Sequence, residues 1–217
     1  MSKISVLMSV YKKENPEYLR ASLESILVQT RTADEILLIE DGPLTQELYQ
    51  VVAEYQKKCD YLHVHAMEQN VQLGRALAKG VELCQYDLIA RMDTDDIAMP
   101  HRLEKEGAYM EAHPEVDVVG GAIREFNDEG TIDRVKNMPK TQEEILEYVK
   151  VRNPLNHMTV MYRKDSILKA GNYKHFPFLE DYSLWSRMLS QGYQFRNMED
   201  ILVRARTSMG LVKRRSG

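Results

Sequence analysis

Two kinds of apolar pattern alternate along the first half of the chain. Residues 4–10 (ISVLMSV) form a continuous apolar run carrying the β-branched Ile4, Val6 and Val10, the pattern of a buried strand. Leu19, Leu23, Ile26 and Leu27 then recur at helical spacing behind Pro16, a residue suited to a first helical turn. A second strand is predicted at 35–39 (EILLI), closed by the turn-forming Asp41-Gly42-Pro43. Leu48, Val51, Val52 and Tyr55 give a second helical stripe, residues 62–67 a weaker strand, and Leu73, Ala76, Leu77 and Val81 a third helix. Residues 87–92 (DLIARM) read as the fourth strand. Such alternation predicts an α/β fold: a mostly parallel central sheet sandwiched by helices, its first half Rossmann-like. Ligands of such sheets bind beyond the C-terminal strand ends. Ser9-Val10-Tyr11, Glu40-Asp41-Gly42 and Asp93-Thr94-Asp95-Asp96 are therefore expected around one crevice.

Beyond residue 99 the pattern changes. A helix is expected at 100–112, then strands at 116–126 and 131–138 joined by the turn Asn127-Asp128-Glu129-Gly130. Residues 141–149 read as a helix with a capping box of Thr141 and Glu144. A short strand at 159–162 and a helix at 179–189 follow. These divisions suggest one domain over 1–206, with a nucleotide-binding half at 1–99, a smaller lobe at 100–206 closing over the crevice, and a basic tail at 207–217.

A length of 217 residues suits this organisation and allows a substantial core. A formal net charge of -4 argues against a nucleic-acid binder, which usually carries a basic balance. No apolar run approaches the ~20 residues that span a bilayer. No basic start with an apolar signal core precedes the first strand. Cys59 and Cys84 lack metal-binding or redox spacing and fit two reduced thiols in a cytoplasmic protein.

The strongest chemical signal is Asp93-Thr94-Asp95-Asp96 directly after a strand. Three carboxylates in four residues repel one another, and a hard divalent cation, Mg²⁺ or Mn²⁺, offsets that repulsion. Mg²⁺ in particular is commonly held by one or two carboxylates together with substrate phosphates, which fits a nucleotide diphosphate. The plainer alternative is a solvated acidic turn, with Asp96 capping the next helix. Asp41 lies where a base or ribose would sit on a nucleotide-binding half, or is an ordinary turn aspartate before Gly-Pro. Arg75, in Asn70-Val71-Gln72-Leu73-Gly74-Arg75, either faces a diphosphate or is a solvated helix arginine. Glu180-Asp181 opens a helix, where carboxylates are electrostatically comfortable as caps. The functional alternative makes Asp181 a general base that removes a hydroxyl proton. Trp185 stands four residues later on the same helical face, as an acceptor wall or a core residue. His157 is open to the same two readings.

Competing nucleotide chemistries lack their motifs. There is no GxxxxGK[ST] loop, and Tyr11-Lys12-Lys13-Glu14 replaces the glycine-rich turn of a dinucleotide fold. No nucleophile elbow is present. Two rivals stay open: a sugar-phosphate nucleotidyltransferase, which usually needs a glycine-rich basic loop after the first strand, and a non-catalytic sugar-nucleotide-binding scaffold.

Taken together, SVLMSVYKKENPEYLRASLESILVQT, the EDG turn, QNVQLGRALAKG, ARMDTDDIAMPHRLEKE and FLEDYSLWSRML resemble the family 2 glycosyltransferases of GT-A fold. The match runs in order to about residue 206, and is most similar to bacterial exopolysaccharide, capsule and O-antigen enzymes of the amylovoran-biosynthesis type. The resemblance implies an inverting hexosyltransferase-type enzyme that uses a nucleotide-diphosphate sugar, a UDP-sugar by preference, and Mn²⁺ or Mg²⁺. It implies that Ser9, Tyr11, Asp41, Arg75 and Asp93 bind the donor, that Asp95 with Asp93 holds the metal, and that Asp181 is the catalytic base. Glu180, Trp185 and His157 fall on the acceptor side. The acceptor implied is a glycan or an undecaprenyl-diphosphate-linked sugar, with peripheral attachment at the inner face of the cytoplasmic membrane. The oligomeric state is left open, a homodimer included.

Two departures stand out. Glu40-Asp41-Gly42 replaces the usual Asp-Asp-Gly. Residues 202–206 lack the histidine that some relatives carry as a metal ligand, so either fewer protein ligands hold the metal or Arg206 pairs with the phosphates. The ending Lys213-Arg214-Arg215 resembles a motif that relatives follow with further chain, which implies either a truncated C-terminus or a natural short form. Its basic residues meet anionic headgroups or form a solvated end.

Overall fold

The first half of the chain builds β1 (Ile4–Val10), α1 (Pro16–Leu27), β2 (Glu35–Glu40), α2 (Gln46–Lys58), β3 (Leu62–Ala66), α3 (Leu73–Leu83) and β4 (Leu88–Met92) in a computed structural model that describes residues 1–207. The four strands pair in parallel in the order β3-β2-β1-β4. Their two-residue period decides which helix covers which face. Ile4, Val6, Met8, Ile36, Leu38, Leu88 and Ala90 pack with Leu19, Leu23 and Ile26 of α1 and Leu48, Val51 and Tyr55 of α2. The alternate positions Leu7, Leu37, Ile39 and Ile89 pack with Ala76, Leu77 and Val81 of α3 on the opposite face. Burial on both faces is why β1, β2 and β4 read as continuous apolar runs. Gly80 of α3 sits so close to Leu7 that an added Cβ would lie 2.3 Å from Leu7 Cδ1.

The second half adds β5 (Ile97–Ala98), α4 (Arg102–Ala112), β6 (Val118–Phe126), β7 (Asp133–Lys136), α5 (Gln142–Tyr148), β8 (Met161–Arg163), α6 (Lys164–Lys169), α7 (Glu180–Ser190) and β9 (Phe195–Arg206). Its strands extend the same sheet, in the order β4-β8-β6-β9-β5, with β7 on β6. The result is a mixed α/β sheet whose parallel half carries the C-terminal strand ends. The capping box of α5 forms as the sequence indicates, with Thr141 and Glu144 exchanging hydrogen bonds.

Three local expectations change. The strand expected at 159–162 begins instead as a 3₁₀ turn, His157–Thr159, because Thr159 Oγ1 donates back to the Asn156 carbonyl at 2.8 Å. The hairpin strand expected at 131–138 narrows to β7. The twelve-residue β9 has no counterpart in the sequence reading, nor do β5 and α6. The basic residues 213–215 lie outside the described residues. No helix among the described residues is long and apolar enough to cross a membrane.

The end of β4 is held from below by a second-face device. Arg102, 1% exposed, donates from Nη2 to the Arg91 carbonyl at 2.7 Å and from Nε to Glu106 at 2.9 Å. Glu106 is fully buried, and burial pushes its pKa up to about 7 against the pull of Arg102. Removing one partner of such a pair strands the other. Arg102→Ala is expected to lower unfolding stability by about 3–5 kcal/mol, read from the shift in urea midpoint at unchanged slope. A loss below about 1 kcal/mol would show that the pair does not anchor the strand.

Candidate active site

Register brings three loops to one edge of the sheet. Val10 lies opposite Glu40, and Met8 opposite Met92, so the chain leaves β1, β2 and β4 on the same side. Residues 93–96 follow β4 directly. One carboxylate oxygen from each of Asp93, Asp95 and Asp96 lies within 4.8 Å of the others. Asp96, only 2% exposed, accepts the Arg206 N–H at 2.7 Å. Thr94 Oγ1 donates to Glu14 at 2.6 Å, which brings a further acid from the β1–α1 loop to the cluster. Burial, then the charges of Asp93 and Glu14, pushes the Asp95 pKa up to about 7. Burial, then the charges of Asp93 and Asp95, raises Asp96 well above the carboxylate range. Three hard oxygen donors whose repulsion is this poorly offset fit a Mg²⁺- or Mn²⁺-sized cation.

Asp41 ties two strand-end loops together. Its carboxylate accepts the Val71 N–H at 2.6 Å and Asn70 Nδ2 at 2.9 Å. The turn needs Gly42, whose φ is +83° and where a Cβ would stand 2.5 Å from Asn70 N. The loop so held starts α3 and presents an exposed Arg75. Gly74 then packs against the other half of the molecule, since a Cβ there would lie 2.5 Å from the Lys174 carbonyl and 3.1 Å from Glu180 Cβ. A chain of contacts therefore runs from Asp41 to the start of α7.

At that start, Asp181 accepts Asn153 Nδ2 at 2.5 Å and its neighbour's N–H, from Tyr182, at 2.7 Å. Burial raises its pKa, with those bonds and the charge of Arg91 pulling the other way. Glu180 is raised too, by burial first, then by Asp181 and in part by Asp93, which places α7 within electrostatic reach of the acidic cluster. Ser9 is half-buried and Tyr11 exposed at the end of β1, with the Ser9 carbonyl accepting from Thr94 Oγ1 at 3.4 Å.

The structure revises the placements of Trp185 and Arg206, and shows the surroundings of His157. Trp185, offered as an acceptor wall, is fully buried among Tyr162, Tyr173, His157 and Phe195. Helical spacing puts it on the face of Asp181, but that face turns into the core one turn later. His157 meets the Tyr173 hydroxyl at 3.0 Å, and burial holds its pKa well below the usual histidine value, so its imidazole is neutral. Arg206, offered as a phosphate partner, is already engaged. It pairs with Asp128, lies 3.8 Å over the Tyr18 ring, and donates to the Asp95 carbonyl at 3.1 Å.

One residue was missed altogether. Arg91, the next-to-last residue of β4, is 2% exposed and pairs with Asp93. The available signal was a lone cation inside the apolar run LIARM, two residues before Asp93.

The match to known proteins follows the same segments. Residues 5–175 match the family model described as Glycosyl transferase family 2. The chain is 43% identical to the amylovoran biosynthesis glycosyltransferase AmsE of Erwinia amylovora, over 98% of this chain and 79% of that relative. It is 35% identical to the UDP-Gal:alpha-D-GlcNAc-diphosphoundecaprenol beta-1,3-galactosyltransferase of Escherichia coli, over 99% of this chain and 78% of that one. Among solved structures, S. aureus TarS 1-349 in complex with UDP-GlcNAc superposes with a TM-score of 0.77 at 20% identity. That overlap takes in 96% of this chain and 59% of the TarS chain. The mannosyltransferase PcManGT from Pyrobaculum calidifontis, in complex with GDP-Man and Mn2+, gives 0.72 at 12% identity, over 94% of this chain and 56% of that one. The acidic strand-end cluster, the α7 carboxylates and the sheet that joins them thus belong to a member of glycosyl transferase family 2, with the GT-A fold.

Proposed function

We propose that the chain transfers a sugar, with inversion, from a nucleotide-diphosphate sugar to a hydroxyl of a glycan or lipid-linked acceptor. A UDP-sugar is the donor of choice, and bacterial surface polysaccharide synthesis the setting, as the names of the relatives at 43% and 35% identity suggest. The observation that carries the reading is the meeting of Asp93, Asp95 and Asp96 with the Glu180-Asp181 start of α7 around one buried cation, Arg91.

Asp95, with Asp93, would hold a divalent cation, which when bound supplies charge stabilisation to a departing diphosphate. Ser9, Tyr11 and Asp41 stand at the strand ends to receive the nucleoside, and Arg75 at the start of α3 to face the phosphates. Asp181 takes the proton from the acceptor hydroxyl as its oxygen attacks the anomeric carbon and the nucleoside diphosphate leaves from the opposite face. Asn153 fixes one oxygen of Asp181, leaving the carboxylate oriented. Glu180 and the neutral His157 line the acceptor side, and Trp185 supports them from the core. In this reading residues 1–99 serve the donor and 100–206 the acceptor, and a lipid-linked acceptor draws the protein to a membrane surface.

With a panel of UDP-sugars and Mn²⁺, Asp181→Asn is expected to lower turnover by about 10²–10⁴-fold, the range of a general base. Asp95→Ala is expected to lose on the order of 10²-fold or more, as does chelation of the metal. Near wild-type turnover in either variant removes that residue from the mechanism.

The raised pKa of Asp181 also sets a pH dependence. The base must be ionised, so at saturating Mn²⁺ the rate should fall on acidification through a pKa above the ordinary aspartate value of 3.8. A pH–rate profile flat down to pH 3.8 would contradict the assignment.

A further inference from the structure

Arg91 is unusual for a charge in a sheet core. Its backbone is pinned on both sides, by register with Leu7 of β1 and by its N–H on the Val160 carbonyl at 2.8 Å. The strand's two-residue period turns its side chain, like Ile89, to the face covered by α3 and α7. One arm of the guanidinium pairs with Asp93, and Nε and Nη1, both buried, have no hydrogen-bond partner. A buried cation with spare donors is costly unless its charge is balanced through space. The acids that balance it are those of the site. Asp93 pairs with it directly, and at the start of α7 the charge of Arg91 opposes the rise that burial gives Glu180 and Asp181.

We infer that Arg91 is a positioning residue that serves as the site's internal counter-cation: it holds Asp93 and substitutes in part for the charge of a divalent ion. Resting on the metal-dependent reading above, this makes Asp95 the one acid of the three whose carboxylate no other residue claims by ion pair or hydrogen bond, its own N–H being its backbone donor. Asp93 is claimed by Arg91, and Asp96 by the backbone of Arg206. The metal alone should therefore bind weakly, and the diphosphate should supply what the protein withholds.

The test is Mn²⁺ affinity, measured by electron paramagnetic resonance titration with and without UDP, on protein shown by circular dichroism melting to be folded. Arg91→Met, close in volume, removes the charge. A unit charge about 5 Å from a divalent ion shifts affinity by about tenfold even in water. Arg91→Met should accordingly bind Mn²⁺ alone at least about tenfold more tightly than wild type, while sugar transfer falls because Asp93 loses its ion-pair partner and Asp181 a nearby positive charge. Arg91→Lys, which keeps the charge, should retain wild-type Mn²⁺ affinity.

A merely structural role would weaken metal binding and transfer together. Unchanged or weaker Mn²⁺ binding by Arg91→Met overturns the inference, as does equal tightening by Arg91→Lys. If Arg91→Met does not melt cooperatively, Asp93→Asn and Asp95→Asn decide. The inference requires the smaller loss of metal-alone affinity in Asp93→Asn, and the reverse order overturns it. Absence of Mn²⁺ binding by the wild-type protein, with or without UDP, instead removes the metal-dependent reading on which the inference stands.

Discussion

Like charges gathered at the end of β4 are the constraint around which the rest of this molecule is arranged. Asp96 is buried and Asp93 and Asp95 are half-buried, with Glu14 added from the neighbouring loop, and Asp93 raises the energy of ionising both Asp95 and Asp96. A fold left to optimise stability would not place them there. Their persistence depends on compensation, some of it visible: Arg91 beneath Asp93, the Arg206 amide on Asp96, and the Ser22 hydroxyl on the Asp93 carbonyl at 2.8 Å. The strand that ends in this cluster is gripped on its other face by Arg102. What the protein does not compensate is the deficit that, in the proposed reading, a divalent ion would fill.

The second requirement is that the cluster face the α7 carboxylates, far away in sequence. No single contact does this. Asp41 clamps residues 70 and 71, the clamped loop launches α3, and Gly74 lets α3 approach Lys174 and Glu180 at backbone distance. Asp41 thus shapes the cleft whether or not it touches a nucleoside. The acidic cluster and the α7 carboxylates then feel one buried charge, that of Arg91.

Legibility in the sequence followed burial. β1, β2 and β4 are covered on both faces, so their apolar runs were plain and their ends predicted the edge that carries the cluster. β9 escaped because Arg196, Glu199, Asp200, Arg204 and Arg206 interrupt its apolar residues. A register shift against β6 near Gly120 and Ala122 also breaks its two-residue period. Asp93, Asp95 and Asp181 were recognisable by type and spacing. Arg91 was not, because a cation in an apolar run gains meaning only once the strand's period and the helix above it are known. Trp185 shows the converse limit: helical spacing told which face it shares with Asp181, but not that this face closes into the core within a turn. Arg206 looked available for phosphates because Asp128, Tyr18 and Phe126, its partners in space, are distant in the chain.

The most direct test is a crystal structure of the protein with UDP and Mn²⁺ bound. The account predicts the metal on Asp95, bridged to the diphosphate, with the uridine at the β1 and β2 ends beside Asp41 and Asp181 across the same cleft. A nucleotide bound on any other face, or a diphosphate with no metal between it and the acidic cluster, would contradict it.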